Sequence, residues 1–257
     1  MEENDDDEKT ILVQIFGESS DSEEEEEEAG GGEKCVNPGG QNGVGRLSTW
    51  EAIGEVKGLW VCRDFLSPPR QSSLLSAILN EGWFVEASNN QAMRFGDLPP
   101  WAIQLSDSIH EVAVFGGCVL EDVASKDVCL PMPAEIISRE PLFDQLIVNV
   151  YQPGEGICAH VDLMRFEDGI AIISLESTCV MDFSQDRVVG VDGGEEASKT
   201  RARVPVLLTP GSLILMSGEA RYSWKHEINR RPGFQVWNGQ ELRQERRISI
   251  TMRKLSG

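Results

Sequence analysis

Histidine is rare in this 257-residue chain, which contains His110, His160 and His226. The tripeptide His160-Val-Asp162 places an imidazole and a carboxylate two residues apart. On an extended strand, residues i and i+2 point to the same face, so both side chains can bind one metal ion. His226, 64 residues after Asp162 and beyond several predicted strands, is the candidate third ligand. These residues predict a site for one divalent metal ion.

Two histidines and one carboxylate form the facial triad of non-haem Fe(II) oxygenases, which leaves three coordination positions open. Because a His-x-Asp tripeptide also arises by chance, other residues of the chain must indicate whether this one belongs to an oxygenase site. Arg247 and Arg253 are six residues apart on a predicted strand, and they therefore share a face. Two buried guanidinium groups need anions, and a dicarboxylate would meet both. The alternative is surface pairing with carboxylates such as Glu241 or Glu245.

The elements that must position these residues are mainly strands. Asn149 and Tyr151 share one face of a strand that enters the His160 turn. A helix is predicted from Ser67 to Gly82 and another from Pro100 to about His110, since both carry apolar residues at helical spacing. Short apolar runs between turn signals predict an antiparallel β-sandwich or barrel. These runs are 146–151, 170–175, 178–183, 204–208, 212–216 and 248–252, with 186–203 as a polar loop.

The charge of the chain is uneven, with a formal net charge of −20. Residues 1–34 hold 15 acidic and 2 basic residues, and 1–48 predict a disordered acidic head because they cannot bury enough apolar surface. No stretch predicts a signal peptide or a membrane span. The six cysteines form no Cys-x-x-Cys pair, which favours reduced thiols and the cytoplasm or nucleus. A polyanion is also a poor general-purpose nucleic-acid binder.

One apolar strip interrupts the head, running from Ile11 to Phe16 and followed by serines and glutamates. This pattern resembles a SUMO-interacting motif, which adds a strand to the edge of a partner's sheet. The alternative is a strip that docks on its own domain.

Several segments together resemble the AlkB family of 2-oxoglutarate/Fe(II) dioxygenases, in the family's order and spacing. The resemblance covers roughly residues 56–255, and within the family it is closest to the tRNA-modifying AlkB homologues. Neither the RNA-recognition domain nor the methyltransferase domain that this branch can carry is expected from these 257 residues. The segments are WVCRDFL (60–66), NQAMRFGDLP (90–99), NVYQPGEGICAHVD (149–162), FEDGIAIISL (166–175), MDF (181–183), PGSLILMSGEARYSWKH (210–226) and RISITMR (247–253).

The resemblance implies a double-stranded β-helix, or jelly roll, over residues 49–257. Within it, 49–145 would form the helical support and substrate lid, and 146–257 the catalytic jelly roll. His160, Asp162 and His226 would hold Fe(II). The 2-oxoglutarate site would comprise Arg247, Arg253, Asn149 and Tyr151. The resemblance leaves open which arginine binds which carboxylate. O2 is the other cosubstrate, and no further catalytic residue is implied. Succinate and CO2 are released, and a substrate C–H bond is hydroxylated; a hydroxylated N-methyl group is lost as formaldehyde.

The resemblance implies an oxidative demethylase or hydroxylase of modified nucleic-acid bases, with RNA favoured over DNA. The chain is expected to be a monomer. Arg230, Arg231 and Trp237 are candidate substrate contacts, because cations bind phosphates and indole rings stack on bases. Residues 49–145 carry 14 acids and 6 bases, a net charge of −8, which opposes a nucleic-acid lid. One alternative is therefore a protein hydroxylase or demethylase that receives a basic peptide. Another is a non-catalytic interaction module that acts through the acidic head.

Overall fold

Two β-sheets form the body of the protein. The computed structural model describes residues 49–86, 89–119, 130–189 and 198–257, which belong to one compact unit, Ser48–Gly257. The predicted acidic head (1–48), with its strip from Ile11 to Phe16, lies outside the described residues. In chain order the strands are β1 (Thr49–Ala52), β2 (Leu59–Cys62), β3 (Gln91–Phe95), β4 (Gly117–Val119), β5 (Gln145–Tyr151), β6 (Ile157–His160), β7 (Ile170–Leu175), β8 (Cys179–Val189), β9 (Ser198–Leu208), β10 (Leu213–Met216), β11 (Lys225–Ile228), β12 (Val236–Trp237), β13 (Gln240–Glu241) and β14 (Arg247–Arg253).

The major sheet has eight strands in the order β3-β5-β14-β7-β10-β2-β1-β4, and the minor sheet has the order β6-β11-β8-β9. A two-stranded hairpin, β12–β13, completes the described strands. Neighbours pair antiparallel except β1 and β4, which are parallel. The mainly β architecture predicted from the sequence is confirmed.

The hydrophobic core lies between the two sheets, because its members come from strands of both. Every residue of β7 and of β10 is buried, so both faces of the major sheet are covered there. The core includes Val56, Leu59, Val61, Ile170, Ile172, Cys179, Met181, Phe183, Val206, Leu208, Ile214, Met216, Ala220, Trp224 and Ile228.

The first predicted helix is confirmed as α1 (Pro68–Asn80), with Ser67 at the N-cap position and two prolines in the first turn. Proline suits this turn because its missing N–H would have no helical partner there. The Ser67 side chain makes no capping hydrogen bond. Leu74 and Ile78 form the buried face, and Gly82 adopts a φ of 66° just after the helix.

The second helix, α2 (Pro100–Phe115), begins where the sequence predicts and continues beyond His110. Its buried face extends through Ala113, one turn after Ile109, which explains the longer helix. Two short helices are α3 (Ala134–Ile137) and α4 (Glu219–Tyr222). In the described part of the chain, no helix combines the length and the apolarity needed to cross a bilayer.

Residues 49–145, predicted to form a helical support and substrate lid, contain strands as well as helices. This region also supplies β1, β2, β3 and β4 to the major sheet. These strands have three to five residues and pair mostly with distant segments, as β2 does with β10. A run this short carries too little alternation to be recognised as a strand without its partner.

The predicted polar loop at 186–203 is also shorter than expected. β8 and β9 pair residue for residue from Cys179 and Leu208 to Val189 and Ser198. The backbone hydrogen bonds of a long hairpin extend these strands into a polar sequence that hydropathy alone assigns to a loop.

Candidate active site

The three predicted metal ligands come together at one end of the minor sheet. Candidate ligand atoms of His160, Asp162 and His226 all lie within 4.8 Å of one another. His160 ends β6 and pairs directly with His226 on β11, with 4.3 Å between the ring centroids. Asp162 lies just after β6 rather than on the strand as predicted. The donor set, two imidazoles and one carboxylate, fits an Fe(II) ion with open coordination positions.

Hydrogen bonding and burial prepare both imidazoles for metal binding. His160 Nδ1 lies 2.8 Å from the carbonyl oxygen of Cys158. A carbonyl only accepts, so Nδ1 carries the proton and Nε2 keeps its lone pair for a metal. Burial lowers the pKa of His226 from 6.5 to about 4, which keeps this imidazole neutral at physiological pH.

Asp162 is held by two arginines. Arg253 Nη1 donates a 2.6 Å hydrogen bond to Asp162 Oδ1, while Oδ2 lies 3.6 Å from His226 Nε2. Arg221 is buried and donates to three main-chain carbonyls, those of Asp162 (3.0 Å), Leu163 (2.8 Å) and Phe166 (3.1 Å). Arg221 therefore fixes the loop that carries Asp162, the predicted carboxylate ligand.

The triad opens into a cavity of about 520 Å³, a volume in the range of small-molecule sites. One wall is the inner face of β14, where Arg247, Ser249, Thr251 and Arg253 alternate with buried core residues. Asn149 and Tyr151 line the cavity from the adjacent strand β5. The predicted metal ligands and the predicted cosubstrate residues thus share one cavity.

Arg247 and Arg253 are both buried and retain unused donors. Arg247 Nε donates to Ser174 Oγ at 2.9 Å, and its guanidinium lies over the Tyr151 ring at 5.6 Å. Arg247 Nη2 and Arg253 Nε are buried without a hydrogen bond to any described residue. Such donors are costly in a protein interior, and an anionic ligand with two carboxylates fits them. The alternative of surface pairing with Glu241 or Glu245 does not occur in the structure.

The side chains of Tyr151 and Asn149, on the strand next to these arginines, are neutral and can orient a ligand. Burial raises the pKa of Tyr151, so its phenol keeps the proton and can donate. Gln91 Nε2 donates to Asn149 Oδ1 at 2.6 Å, which directs the amide NH2 of Asn149 away from that contact. Sequence reasoning missed Gln91, Ser174 and Arg221 as parts of the site. It could have found Ser249, because strand alternation places it between the two arginines.

Three residues, Arg230, Arg231 and Trp237, were predicted to contact the substrate. None of them lines this cavity, and they differ in their exposure to solvent. Arg230 is 2% exposed and donates to the main-chain carbonyls of Gln152 (3.2 Å) and Glu245. It therefore joins two chain segments, and its contact with a phosphate stays a prediction. Arg231 is exposed, and Trp237 is half-buried in the β12–β13 hairpin.

The low pKa of His226 predicts a pH-dependent stability of the metal-free protein. Below about pH 6.5 the unfolded chain takes up a proton at this imidazole, whereas the folded chain does so only near pH 4. The free energy of unfolding should therefore fall by about 3 kcal/mol across this window as pH decreases. Denaturant unfolding at several pH values checks this. In His226→Gln the free energy of unfolding should lose this part of its pH dependence, whereas replacing the exposed His110 with glutamine should leave it unchanged. An equal pH dependence in the unaltered protein and both variants would contradict the prediction.

Comparisons with known proteins identify the family of this chain. A sequence profile of the 2OG-Fe(II) oxygenase superfamily matches residues 58–253. The Xenopus tropicalis "tRNA (carboxymethyluridine(34)-5-O)-methyltransferase alkbh8" is 31% identical over 179 residues, covering 68% of this chain and 25% of that protein. The Arabidopsis thaliana "Alkylated DNA repair protein ALKBH8 homolog" is 28% identical over 222 residues, covering 78% of this chain and 59% of that protein. The chain thus spans less than two thirds of either relative.

A solved structure, that of "OsALKBH1", superposes with a TM-score of 0.50 at 14% sequence identity. It covers 80% of this chain and 99% of that one, and the predicted jelly-roll fold is confirmed. The chain therefore belongs to the 2OG-Fe(II) oxygenase superfamily. Enzymes of this superfamily use Fe(II), 2-oxoglutarate and O2, and the donor set of His160, Asp162 and His226 fits the iron, as predicted. The matched relatives are AlkB homologues, which confirms the resemblance to AlkB enzymes.

Proposed function

We propose that this dioxygenase oxidises a modified base in nucleic acid, in RNA ahead of DNA, by demethylation or hydroxylation. The observation that carries the proposal is that the ligand triad and the two buried arginines share one open cavity. The proposed class of substrate is based on the relatives, whose names refer to a modified tRNA uridine and to alkylated DNA.

The proposed iron ligands are His160, Asp162 and His226. Fe(II) and 2-oxoglutarate, when bound, supply the oxidation of a substrate C–H bond by O2 with release of succinate and CO2. The protein's own groups hold the reactants in place. Arg221 fixes the main chain of Asp162, and the Cys158 carbonyl fixes the tautomer of His160.

The positions of the two arginines support an assignment of the cosubstrate carboxylates. Arg253 contacts the proposed ligand Asp162, so it lies beside the metal and would bind the end of 2-oxoglutarate nearest to it. Arg247 lies over Tyr151, away from this contact, and would pair with the far carboxylate. The Tyr151 phenol would donate a further hydrogen bond, because its raised pKa keeps it protonated.

A protein substrate is the second candidate, and one specific observation favours it. Residues 49–145 carry a net charge of −8, which would attract a basic peptide and repel phosphates. The same activity measurement distinguishes the two candidates, because it can be made with either substrate class.

Succinate formation from 2-oxoglutarate tests the proposal, with Fe(II) and ascorbate present and a cellular small-RNA pool added or omitted. RNA should stimulate turnover, and the stimulation should be absent from Asp162→Ala. A modified nucleoside that disappears from the RNA would then identify the substrate. Iron-dependent turnover that responds to basic peptides and is indifferent to RNA would reject the RNA proposal in favour of a protein substrate.

A further inference from the structure

Two chain segments flank the mouth of the active-site cavity and expose apolar side chains. The first is β3, an edge strand of the major sheet, whose Gln91 lines the cavity. The second is the loop after Asp162, where Leu163 lines the cavity and is 61% exposed, while Met164 is 69% exposed. A soluble surface that exposes neighbouring apolar side chains beside a cavity is typical of a binding region.

The register of β3 connects its exposed residues to the cavity. Gln91 pairs with Asn149 and Met93 with Ile147, and both β5 partners line the cavity. Phe95, two residues further along the same face, is 46% exposed. The inner face of β3 therefore forms a strip that leads from the cavity to the surface.

Arg165 joins the loop to this strip. Its guanidinium carbon lies 5.5 Å from the centroid of the Phe95 ring and 5.0 Å from that of Phe166. On the other face of β3, Arg94 lies 4.3 Å from the Trp83 ring. Each exposed guanidinium beside the edge strand is thus placed on an aromatic ring, with its charge still accessible to solvent.

These two arginines differ from most other arginines at the surface. Arg63, Arg139, Arg203 and Arg243 each pair with a carboxylate. No carboxylate among the described residues forms an ion pair with Arg94 or Arg165. In a chain of net charge −20, Arg165 has no acidic partner on the face of β3 that leads to the cavity, so it creates a local site for an anion.

We propose that Phe95 and Arg165 bind the nucleotide next to the target base in a single-stranded nucleic acid. This inference rests on the proposed function. The neighbouring base would stack on the surface formed by the Phe95 ring and the Arg165 plane, and the Arg165 guanidinium would donate to its phosphate. A duplex keeps its bases stacked on one another, so it cannot use such a surface. A basic peptide would meet the unpaired Arg165 here, so the local charge favours an anionic polymer.

Binding of a short, fluorescently labelled single-stranded RNA of mixed sequence, followed by anisotropy with the full chain, tests the inference. Phe95→Ala should weaken binding about 10-fold, because an aromatic stacking partner is lost, and Phe95→Trp should restore it. Arg165→Ala should also weaken binding, and it should reduce the slope of log affinity against log salt by about 0.7, the value for one phosphate on a single strand. Basal succinate formation without nucleic acid should stay unchanged in all three variants.

Two surface variants serve as matched controls. Phe115 is 72% exposed at the end of α2, and Arg70 is an exposed arginine on α1 whose Nη2 donates to Ser108. Phe115→Ala and Arg70→Ala should bind RNA as the unaltered protein does.

The outcomes separate the two proposals. RNA-stimulated turnover in the unaltered protein, with RNA affinity unchanged in Phe95→Ala and Arg165→Ala, would overturn this inference alone. Equal affinity for the corresponding duplex, with equal losses in both variants, would overturn its single-strand part. An unaltered protein that neither binds RNA nor responds to it would overturn the proposed function, and this inference with it.

Discussion

Replacing Asp162 with alanine is expected to abolish iron-dependent turnover of 2-oxoglutarate. The substitution removes the carboxylate from the triad, and loss of a direct ligand should exceed the 10- to 100-fold cost of losing an outer partner. Succinate formation and direct Fe(II) binding both measure this loss. The metal-free variant should also be less stable, by about 3–5 kcal/mol, because the buried Arg253 loses its carboxylate.

A matched control is Asp144→Ala. Asp144 accepts a 2.7 Å hydrogen bond from Lys254 Nζ and another from the Leu255 N–H, but it does not line the cavity. This variant should lose stability and keep iron-dependent turnover in the fraction that folds. If Asp162→Ala bound Fe(II) and turned over 2-oxoglutarate as well as Asp144→Ala, the assignment of Asp162 as a ligand would be wrong.

Replacing Arg247 with methionine should have the second largest effect, on the binding of 2-oxoglutarate. A hydrogen bond to a charged group contributes about 1.5–3 kcal/mol, so loss of the guanidinium should raise the Kd of 2-oxoglutarate by about 10- to 150-fold. Titration calorimetry measures the Kd, and steady-state kinetics measures the corresponding rise in KM. Arg247→Lys should recover the charge without the planar fork, and it should therefore restore only part of the affinity.

The preceding residue provides the control for this substitution. Arg246 forms an ion pair with Glu176 and does not line the cavity. Arg246→Met should change the free energy of unfolding while the Kd of 2-oxoglutarate stays as it was. An unchanged Kd in Arg247→Met would contradict its place in the cosubstrate site.

The sequence was most informative where local geometry alone places side chains. Residues i and i+2 of a strand share a face whatever the strand packs against, so Arg247 and Arg253 could be placed on one wall before the fold was known. The same rule brought Asn149 and Tyr151 together. Helix α1 was equally accessible, because its prolines and Leu74 and Ile78 follow local rules.

Features that depend on distant partners could not be predicted in this way. Arg230 resembled its exposed neighbour Arg231, but its guanidinium reaches carbonyls of two other segments. Arg221, on helix α4, and Ser174, on β7, join the site only because segments far apart in sequence meet. The strands β1–β4 likewise depend on partners elsewhere in the chain for their hydrogen bonds and burial.

The pairing of His160 with His226 across β6 and β11 also links the proposed metal site to folding. In the unfolded chain His160 and Asp162 are near neighbours, whereas His226 lies 64 residues beyond Asp162. Closing that loop costs entropy, which the strand pairing offsets in the folded chain. The three proposed ligands are therefore held together only in the folded chain. Since the metal binds the folded chain in preference, each tenfold rise in free Fe(II) above its Kd should add about 1.4 kcal/mol to the free energy of unfolding.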